Sequence, residues 1–273
     1  MGDSGVSRGP GAEAAWVERL GVGAWTDVVV ALRAGADVVD RGQYIVVRTP
    51  SNRSYVWGNC IHVLEGADDA ERWRTVFAEE FSDVGHVAIG LPRTPDAAAW
   101  PGLHVRVEDV LVRGPDAERE APPVSGDVEV RPLRQDSDWG ELVELLVEEN
   151  ARTEEFPQLG FRGFLERTFQ ARSDIALAGD GCFFGAWAEG RLVAHVGVIA
   201  CGPVARYQWV VTHVDHRRRG LASALIEQCA RWAVAHGCVQ QVIMADAGSA
   251  AARLYESLGF VPGDPVVGVE WFE

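Results

Sequence analysis

The sequence predicts an α/β fold in two parts, in which helices cover mixed, largely antiparallel β-sheets. In the second half of the chain, apolar residues switch repeatedly between the period of a strand and that of a helix. The stretch 114–127 is rich in Gly, Pro and acidic residues and shows neither period, which is typical of a linker. We therefore expect a smaller α/β domain at 1–113 and a larger domain at 128–273.

The larger predicted domain begins with a strand and two amphipathic helices. Asp138 and Glu141 have the spacing of a capping box at the first of these helices. Three strands follow, joined by Glu189-Gly190 and Gly202-Pro203, which are typical of tight turns. A long helix stopped by Gly237 comes next. The expected strands are 128–134, 182–188, 192–200, 204–213, 239–245 and 266–272, and the expected helices are 138 onward, 161–172, 218–236 and 249–258.

The helix and strand patterns of the smaller domain are weaker than those of the larger domain. The elements of the smaller domain follow an order that resembles a shortened form of the second half, although the two halves show no tandem sequence repeat. The polar and aromatic cluster at 50–59 is interpreted as a turn, with the lining of a pocket as the alternative. The expected helices are 12–20 and 69–81, and the expected strands are 43–48, 55–64, 86–91 and 103–112.

Composition excludes several classes of function. The 273 residues carry a net charge of −15, which argues against a nucleic-acid binder. All basic residues other than histidine are arginines, so chemistry that needs a lysine amine is excluded, including Schiff bases, pyridoxal phosphate anchoring and the P-loop. The five cysteines have neither disulfide nor metal-ligand spacing. We expect reduced thiols and no metal.

The first twenty residues lack the apolar core of a signal peptide, and no apolar stretch is long enough to span a membrane. The sequence therefore predicts a cytoplasmic protein without a membrane partner. It leaves open whether the protein is a monomer or a homodimer.

The most informative stretch is the passage from a strand into a helix at 206–223. Three consecutive arginines, Arg217, Arg218 and Arg219, are followed by the small residues Gly220 and Ala222. The first N–H groups of a helix lack partners within the helix, and the helix dipole is positive there, so an anion is favoured. Arginines at this end oppose the dipole unless an anion compensates them. We predict a phosphate site; the alternative is a solvated basic helix start.

Arg217, Gly220 and Ala222 match the Arg/Gln-x-x-Gly-x-Gly/Ala signature of the GNAT superfamily, which are acyl-CoA-dependent N-acyltransferases. The later run Leu-Tyr-Glu-Ser-Leu-Gly-Phe at 254–260 is similar to the terminal helix motif of that family. The resemblance covers 128–273. The first domain resembles a degenerate GNAT-like fold, which would make the chain a tandem GNAT protein. That domain lacks the signature loop, so it is not expected to bind coenzyme A in the same way.

The resemblance implies acetyl-CoA as co-substrate, with its diphosphate on the amides of 218–223 and its pantetheine arm along the end of the preceding strand. Two positions depart from the family. Val214 stands where proline is frequent, and no asparagine occurs at 248–249, so that contact is left to Ser249 or to water. The residues that the resemblance assigns to the cofactor are Val210, Val211, Thr212, His213, Val214, Arg217, Arg218, Arg219, Gly220, Leu221, Ala222, Ser223, Ser249 and Arg253.

Acyl transfer to an amine needs a group that protonates the leaving thiolate and a donor for the oxyanion. By resemblance, Tyr255 is the general acid; the alternative is that it packs in a stripe with Ala251 and Leu258. The resemblance also implies an oxyanion donor among the backbone N–H groups near His213.

The general base remains open at this point. His213 is one candidate because an imidazole titrates near neutral pH. Glu149 is another, from the group of acidic residues Glu148, Glu149, Glu154 and Glu155. These carboxylates could also recognise a cationic amine or form a solvated loop. His195, within a predicted strand, is more typical of a buried core histidine.

The predicted function is transfer of an acetyl group from acetyl-CoA to a primary amine of a small molecule or peptide, by direct attack on the thioester. The alternative is a catalytically idle acyl-CoA-binding module with a regulatory role.

Overall fold

The computed structural model describes residues 10–117, 124, 127–154 and 156–272. The helices are α1 (Pro10–Arg33), α2 (Ala70–Glu80), α3 (Asp136–Thr153), α4 (Phe161–Leu177), α5 (Leu221–Ala235) and α6 (Ala250–Ser257). The strands are β1 (Asp37–Asp40), β2 (Tyr44–Arg48), β3 (Cys60–Val63), β4 (His86–Leu91), β5 (His104–Arg113), β6 (Val128–Pro132), β7 (Gly181–Ala188), β8 (Arg191–Cys201), β9 (Val204–Thr212), β10 (Gln240–Asp246), β11 (Val261–Pro262) and β12 (Val266–Phe272). The predicted α/β class is confirmed.

The chain forms two compact units that do not follow its linear order. Unit 1 comprises the chain up to Val110, Met244–Ser249 and the chain from Gly263 onward. Unit 2 comprises Leu111–Ile243 and Ala250–Pro262. The chain passes from unit 1 to unit 2 within β5, before the predicted linker, and residues 118–123 and 125–126 of that linker lie outside the described residues. The boundaries expected at 113 and 128 stay predictions.

Unit 1 is built on a sheet in which β12 lies between β4 and β5. β12 is antiparallel to both of these strands, whereas β3 and β4 are parallel. Val269 of β12 is fully buried in the same core as Trp73 and Phe77 of α2 and Ile89 of β4. The strand expected at 266–272 therefore exists, but it belongs to unit 1 instead of completing the second domain.

Three expectations for unit 1 needed correction. The helix expected at 12–20 continues to Arg33, past a kink at Gly21 (φ 73°), because the residues after the kink are buried too completely to show an amphipathic stripe. β1 was not predicted. The strand expected at 55–64 begins only at Cys60, because residues before it form a turn in which the side chain of Asn59 donates to the carbonyls of Asn52 and Tyr55.

Unit 2 has the strand order β6-β7-β8-β9-β10. The first four strands are antiparallel, and β10 is parallel to β9. The β7–β8 turn has positive φ at Glu189 (52°) and Gly190 (80°), as expected for a tight hairpin turn. Helices α3, α4 and α5 pack on this sheet. The apolar residues predicted at helical spacing are buried at Trp139, Val143, Leu146, Phe161, Leu165, Phe169, Leu221, Leu225, Ile226 and Cys229.

Two helix starts in unit 2 differ from the predictions. The capping box of α3 pairs Gln135 with Asp138, whereas Asp138 and Glu141 were expected. α5 begins at Leu221 instead of 218, because Arg218 (φ 63°) and Gly220 (φ 78°) are in the left-handed region and cannot continue a helix. The three arginines consequently precede the helix and do not lie in its first turn.

A buried ion pair in unit 2 joins four elements. The guanidinium of Arg113, at the end of β5, donates to Glu227 of α5 at 2.6 Å, to Gln241 of β10 at 2.9 Å and to the carbonyl of Leu258 after α6 at 2.9 Å. The guanidinium also lies 4.5 Å from the ring centroid of Phe260. Both charged side chains have 0% exposure. Hydrogen bonding on this scale offsets much of the desolvation cost of the two charges.

In the described ranges, no helix has both the length and the apolar character that crossing a bilayer requires. All five cysteines are free, and four of them are buried. Burial raises the pKa of Cys182 to about 11, so this half-buried thiol stays protonated near neutral pH.

Replacing Glu227 by Gln should strongly destabilise the protein, because Arg113 would remain buried without a compensating charge. We expect the free energy of unfolding to fall by about 3–5 kcal/mol, measured by urea denaturation. Asp68→Asn is the matched control, since it breaks an ion pair with Arg93 in which the side chains are 85% and 64% exposed. The control should unfold like the wild type. Equal stability of both variants would contradict a central role for the buried pair.

Candidate active site

The loop between β9 and α5 has a defined backbone conformation. Residues Val214–His216 form a single 3-10 turn, and Arg217 is extended. Arg218 and Gly220 then adopt positive φ. Gly220 is the N-cap of α5 and supplies no side-chain cap. The first N–H groups of α5, at Leu221, Ala222 and Ser223, therefore lie at the positive end of a 15-residue helix and receive no side-chain cap from Gly220.

Space for a ligand exists beside Gly220. A Cβ built on this residue meets no other atom within 4 Å. Glycine is required here by its positive φ of 78°, and not by crowding from the protein. The combination of an uncapped helix start and open space fits the binding of an anion.

The three arginines of the loop differ in availability. Arg217 donates from Nε to the carbonyl of Thr212 at 3.0 Å and from its guanidinium to Glu149. Arg219 contacts Nδ1 of His216 at 2.9 Å. Arg218 is exposed, and its side chain has no partner among the residues that the structure describes. Arg218 and Arg219 are therefore able to turn toward an anion, whereas Arg217 belongs to the framework of the loop.

Among the described strands, the edge of β9 that faces β10 has no strand partner in the second half of β9. β9 and β10 pair over three positions, from Val204 with Gln240 to Arg206 with Val242, although β9 continues to Thr212. The pairing thus ends before the segment at 210–212 that was assigned to the pantetheine arm. Val210, Val211 and Thr212 are half-buried.

A β-bulge interrupts β9 directly before that segment. Gly197 pairs with Gln208 and His195 with Val211, so Trp209 and Val210 together face the single residue Val196. Trp209 has φ 54°, which is a strained value for a bulky side chain. A bulge leaves backbone groups without a partner in the ladder. The sequence gave no signal for this feature, because the bulge comes from strand register and the residue type does not reveal it.

The amides expected to form the oxyanion hole near His213 are already occupied. The N–H of His213 donates to the carbonyl of Val193 at 2.8 Å, and that of Val214 donates to Glu149 at 3.1 Å. The N–H of Asp215 donates to Nδ1 of His213 at 3.3 Å. The bulge is consequently the better source of a free donor in this strand.

Tyr255 lies on α6 and is buried to 3% exposure. Its ring packs 6.3 Å from that of Phe260, and no hydrogen bond of its hydroxyl is found among the described residues. Burial raises the pKa of Tyr255 to about 12, although the nearby charge of Arg206 lowers it. The phenol therefore keeps its proton at neutral pH and is available as a donor.

The carboxylate of Glu149 is already hydrogen-bonded within the protein. It accepts hydrogen bonds from Val214, Arg217 and Arg152. Burial raises the pKa of Glu149, but the hydrogen bond from Arg152, the charge of Arg217 and the amide of Val214 outweigh burial and lower the net pKa. Glu149 is thus a weak proton acceptor where it stands.

His213 lies between two carboxylates. Its Nε2 is 3.7 Å from Oε2 of Glu148, and its Nδ1 is 3.9 Å from Oδ2 of Asp215. The imidazole side chain is 20% exposed. Glu148 also pairs with Arg191 at 3.2 Å.

The remaining predicted residues lie elsewhere. Arg253 is exposed on α6, and Ser249 belongs to unit 1, where its N–H donates to the carbonyl of Asp246. Their contacts with a cofactor stay predictions. Glu154 is the left-handed C-cap of α3, and Glu155 lies outside the described residues. His195 is fully buried, which lowers its pKa to about 3, and its ring stacks on Phe183.

A row of aromatic rings leads from the surface to the bulge. Successive rings are 5.4 to 6.2 Å apart, beginning with Phe156, which is 37% exposed. We call these residues the aromatic row; in order they are Phe156, Phe161, Phe164 and Trp209. Phe161 and Phe164 lie in the helix predicted at 161–172, but the sequence gave no signal that this row reaches β9.

Unit 1 contains no equivalent of the arginine loop in its described part. The connection from β3 to α2 carries Glu65, Asp68 and Asp69. Asp69 caps α2 by accepting from the N–H of Arg72 at 3.1 Å. A helix start that is already capped by a carboxylate repels an anion. Within the residues described, no group of His, Cys, Asp and Glu is arranged to hold a metal ion.

Comparison with known proteins matched residues 139–260 to the acetyltransferase (GNAT) family. Among solved structures, the chain is similar to a conserved protein of unknown function from Staphylococcus epidermidis, with a TM-score of 0.67 and 13% identity over 85% of this chain and 92% of that one. It is also similar to a GCN5-related N-acetyltransferase from Kribbella flavida, with a TM-score of 0.62 and 16% identity over 92% and 96% of the two chains.

A third similar structure is a tandem GNAT protein from the clavulanic acid biosynthesis pathway, with a TM-score of 0.55 and 15% identity over 97% of this chain and 95% of that one. A comparison with curated proteins found no significant match. At these sequence identities the likeness concerns the fold alone. The aligned regions include residues of both units.

Gly220→Glu should weaken the binding of coenzyme A, because the new carboxylate would lie at the predicted phosphate site at the start of α5. Gly237→Glu is a matched control at the other end of the same helix: both glycines have φ 78° and open space around a Cβ. Each variant carries a similar backbone strain of about 1–2 kcal/mol. Calorimetry should show at least about a tenfold loss of affinity for Gly220→Glu alone. Equal effects in both variants would contradict the assignment of the site.

Proposed function

We propose that this chain, of which residues 139–260 belong to the GNAT acetyltransferase family, transfers an acetyl group from acetyl-CoA to a primary amine. The observation that carries the proposal is the uncapped start of α5, flanked by Arg218 and Arg219, at the end of a strand with an open edge. This arrangement suits a ligand that has an anionic diphosphate and an extended arm with amide groups.

In the proposed complex, the diphosphate lies on the amides from Arg218 to Ser223. The pantetheine arm follows β9 at Val210–Thr212. The amides of His213 and Val214 have partners within the protein, so they would not pair with the arm unless those hydrogen bonds broke. The thioester would then lie beside the bulge at Trp209 and Val210.

The bulge is proposed to supply the oxyanion donor. Attack of the amine on the thioester carbonyl forms a C–N bond and places a negative charge on the carbonyl oxygen. A backbone N–H that is fixed before the reaction stabilises that charge at little cost in reorganisation. The strained φ of Trp209 is the kind of feature that persists at functional sites.

Tyr255 is proposed to donate a hydrogen bond to the sulfur when the C–S bond breaks. A phenol with a pKa of about 12 holds its proton more tightly than a thiol does, since thiols titrate near ~8.5. Tyr255 would therefore stabilise the departing thiolate chiefly by hydrogen bonding, and the thiolate would be protonated by solvent afterwards.

His213 is proposed to take up the amine proton at Nδ1, which now accepts from the N–H of Asp215, so that this long hydrogen bond of 3.3 Å breaks when the proton arrives. Glu148 and Asp215, on opposite sides of the ring, would stabilise the positive charge that the imidazole then gains. Glu149 fits this task less well, because both of its oxygens accept hydrogen bonds from the protein.

The surroundings of the bulge support an acceptor with an aromatic or apolar group. The aromatic row leads to the bulge from the surface, and the α3 carboxylates of Glu144 and Glu148 are paired with Arg162 and Arg191. A polycationic acceptor would have to compete with these arginines. The second candidate function is an acyl-CoA-binding module with a regulatory role. The acidic connection from β3 to α2 in unit 1 does not distinguish such a module from an enzyme.

The proposed function predicts release of free thiol from acetyl-CoA in the presence of an amine. We would assay release with arylalkylamines, aliphatic amines, polyamines, amino acids and peptides, and expect turnover above the rate without amine. The Gly220→Glu variant should be inactive, and Gly237→Glu should be active. Tight binding of coenzyme A with no turnover on any acceptor class would favour the regulatory module.

Tyr255→Phe should lower kcat by about 10²-fold and leave the affinity for coenzyme A unchanged, because only the donor to the sulfur is removed. Tyr44→Phe is the matched control: it removes a phenol hydroxyl that bonds to Glu80 in unit 1, and full activity is expected. In the wild type, ionisation of Tyr255 should not reduce kcat until the pH approaches 12. Unchanged kcat in Tyr255→Phe would exclude the proposed role.

A further inference from the structure

We propose that Glu149 is a positioning residue that holds the β9–α5 loop in the conformation that binds the diphosphate. The inference rests on the proposed function of that loop. It assigns to Glu149 a role in cofactor binding in place of the role of general base that the sequence suggested.

The contacts of Glu149 join α3 to the loop at two points. Oε1 accepts from the backbone N–H of Val214 at 3.1 Å, and Oε2 accepts from the guanidinium of Arg217. Arg152, one turn further along α3, donates to the same Oε2 at 2.6 Å. The carboxylate is 11% exposed. One side chain therefore fixes both ends of the 3-10 turn that opens the loop.

Arg217 transmits this constraint to the rest of the loop. Its guanidinium bonds to Glu149, and its Nε donates to the carbonyl of Thr212 at 3.0 Å. The side chain is thus bonded at once to the end of β9 and to α3. With Arg217 fixed there, the chain reaches Leu221 through two residues of positive φ, Arg218 and Gly220.

A left-handed conformation at Arg218 costs free energy and persists only when surrounding contacts impose it. Arg219 and His216 contact each other within the loop, whereas Glu149 and Arg217 tie this part of the loop to α3 and to the end of β9. Without the contacts of Glu149 and Arg217, the loop would relax, and the binding energy of the cofactor would have to reorder it. Loss of Glu149 should therefore appear first in the affinity for coenzyme A.

The charge of Glu149 acts in the opposite direction. A carboxylate near a diphosphate repels it, so removing that charge alone would strengthen binding. Arg152 and Arg217 offset the charge within hydrogen-bond distance. Positioning of the loop by Glu149 strengthens the binding of coenzyme A, whereas repulsion of the diphosphate weakens it. The affinity of a Glu149 variant for coenzyme A therefore shows which effect is larger.

The test compares Glu149→Gln and Glu149→Asp by calorimetry with coenzyme A and by steady-state kinetics. Aspartate keeps a carboxylate but is one methylene too short to reach both partners, and glutamine keeps the reach but can only partly replace the acceptors. A positioning role predicts about tenfold weaker binding for Glu149→Asp, a smaller loss for Glu149→Gln, and kcat within a few-fold of the wild type at saturating acetyl-CoA for both.

The matched control is Glu144→Gln, which removes a carboxylate from the same helix and breaks a two-point ion pair with Arg162. It should bind coenzyme A like the wild type. A double-mutant cycle of Glu149→Gln with Arg217→Gln adds an independent measurement, and the double variant should bind no more weakly than Arg217→Gln alone. The cycle keeps the proposal testable if Glu149→Asp does not fold.

Two outcomes would overturn the inference. Tighter or unchanged binding in Glu149→Asp and Glu149→Gln would show that the loop does not depend on Glu149. Unchanged binding with loss of kcat and of the acidic limb of the pH–rate profile in Glu149→Gln would identify a general base. Failure of the wild type to bind coenzyme A would instead reject the proposed function, so the two failures are distinguishable.

Discussion

The buried pair of Arg113 and Glu227 is the interaction on which unit 2 depends most. It joins β5, α5, β10 and the carbonyl end of α6 without exposing either charge. The uncapped N-terminus of α5 and the phenol of Tyr255 on α6 therefore share one internal support. Because two buried charges tolerate little displacement, this support favours a single arrangement of the two helices over several similar ones.

Acidic residues of α3 form a second set of stabilising contacts, with the start of β8 and with the β9–α5 loop. Glu141 accepts from the amide of Leu192 at 2.8 Å, Glu148 pairs with Arg191, and Glu149 holds Val214 and Arg217. One helix thus supports both the β7–β8 hairpin and the β9–α5 loop through the carboxylates of Glu141, Glu148 and Glu149. These pairs also explain how a chain of net charge −15 presents a locally basic loop: the neighbouring carboxylates are already satisfied.

The sequence predicted what depends on local pattern. The helices and strands of unit 2 follow from periodicity, and the uncapped start of α5 follows from Gly220; the anion site stays a prediction. It could not predict the positive φ of Trp209 and Arg218, because tertiary contacts impose those values on residue types that rarely adopt them. Nor could it predict the partners of Glu149, which lie 65 and 68 residues away along the chain. The sequence predicted the strand at 266–272, but the residues of a strand do not determine which sheet it joins.

The position of β12 has a consequence for biosynthesis. Its neighbours in unit 1, β4 and β5, leave the ribosome long before residues 266–272 are made. Until then, the two strands lack the partner that lies between them, and the apolar surface that Val269 covers is open to solvent or to a chaperone. The sheet of unit 1 can therefore be completed only after the residues of unit 2 have been made, and we expect the pairing of β12 to be a non-local step of folding.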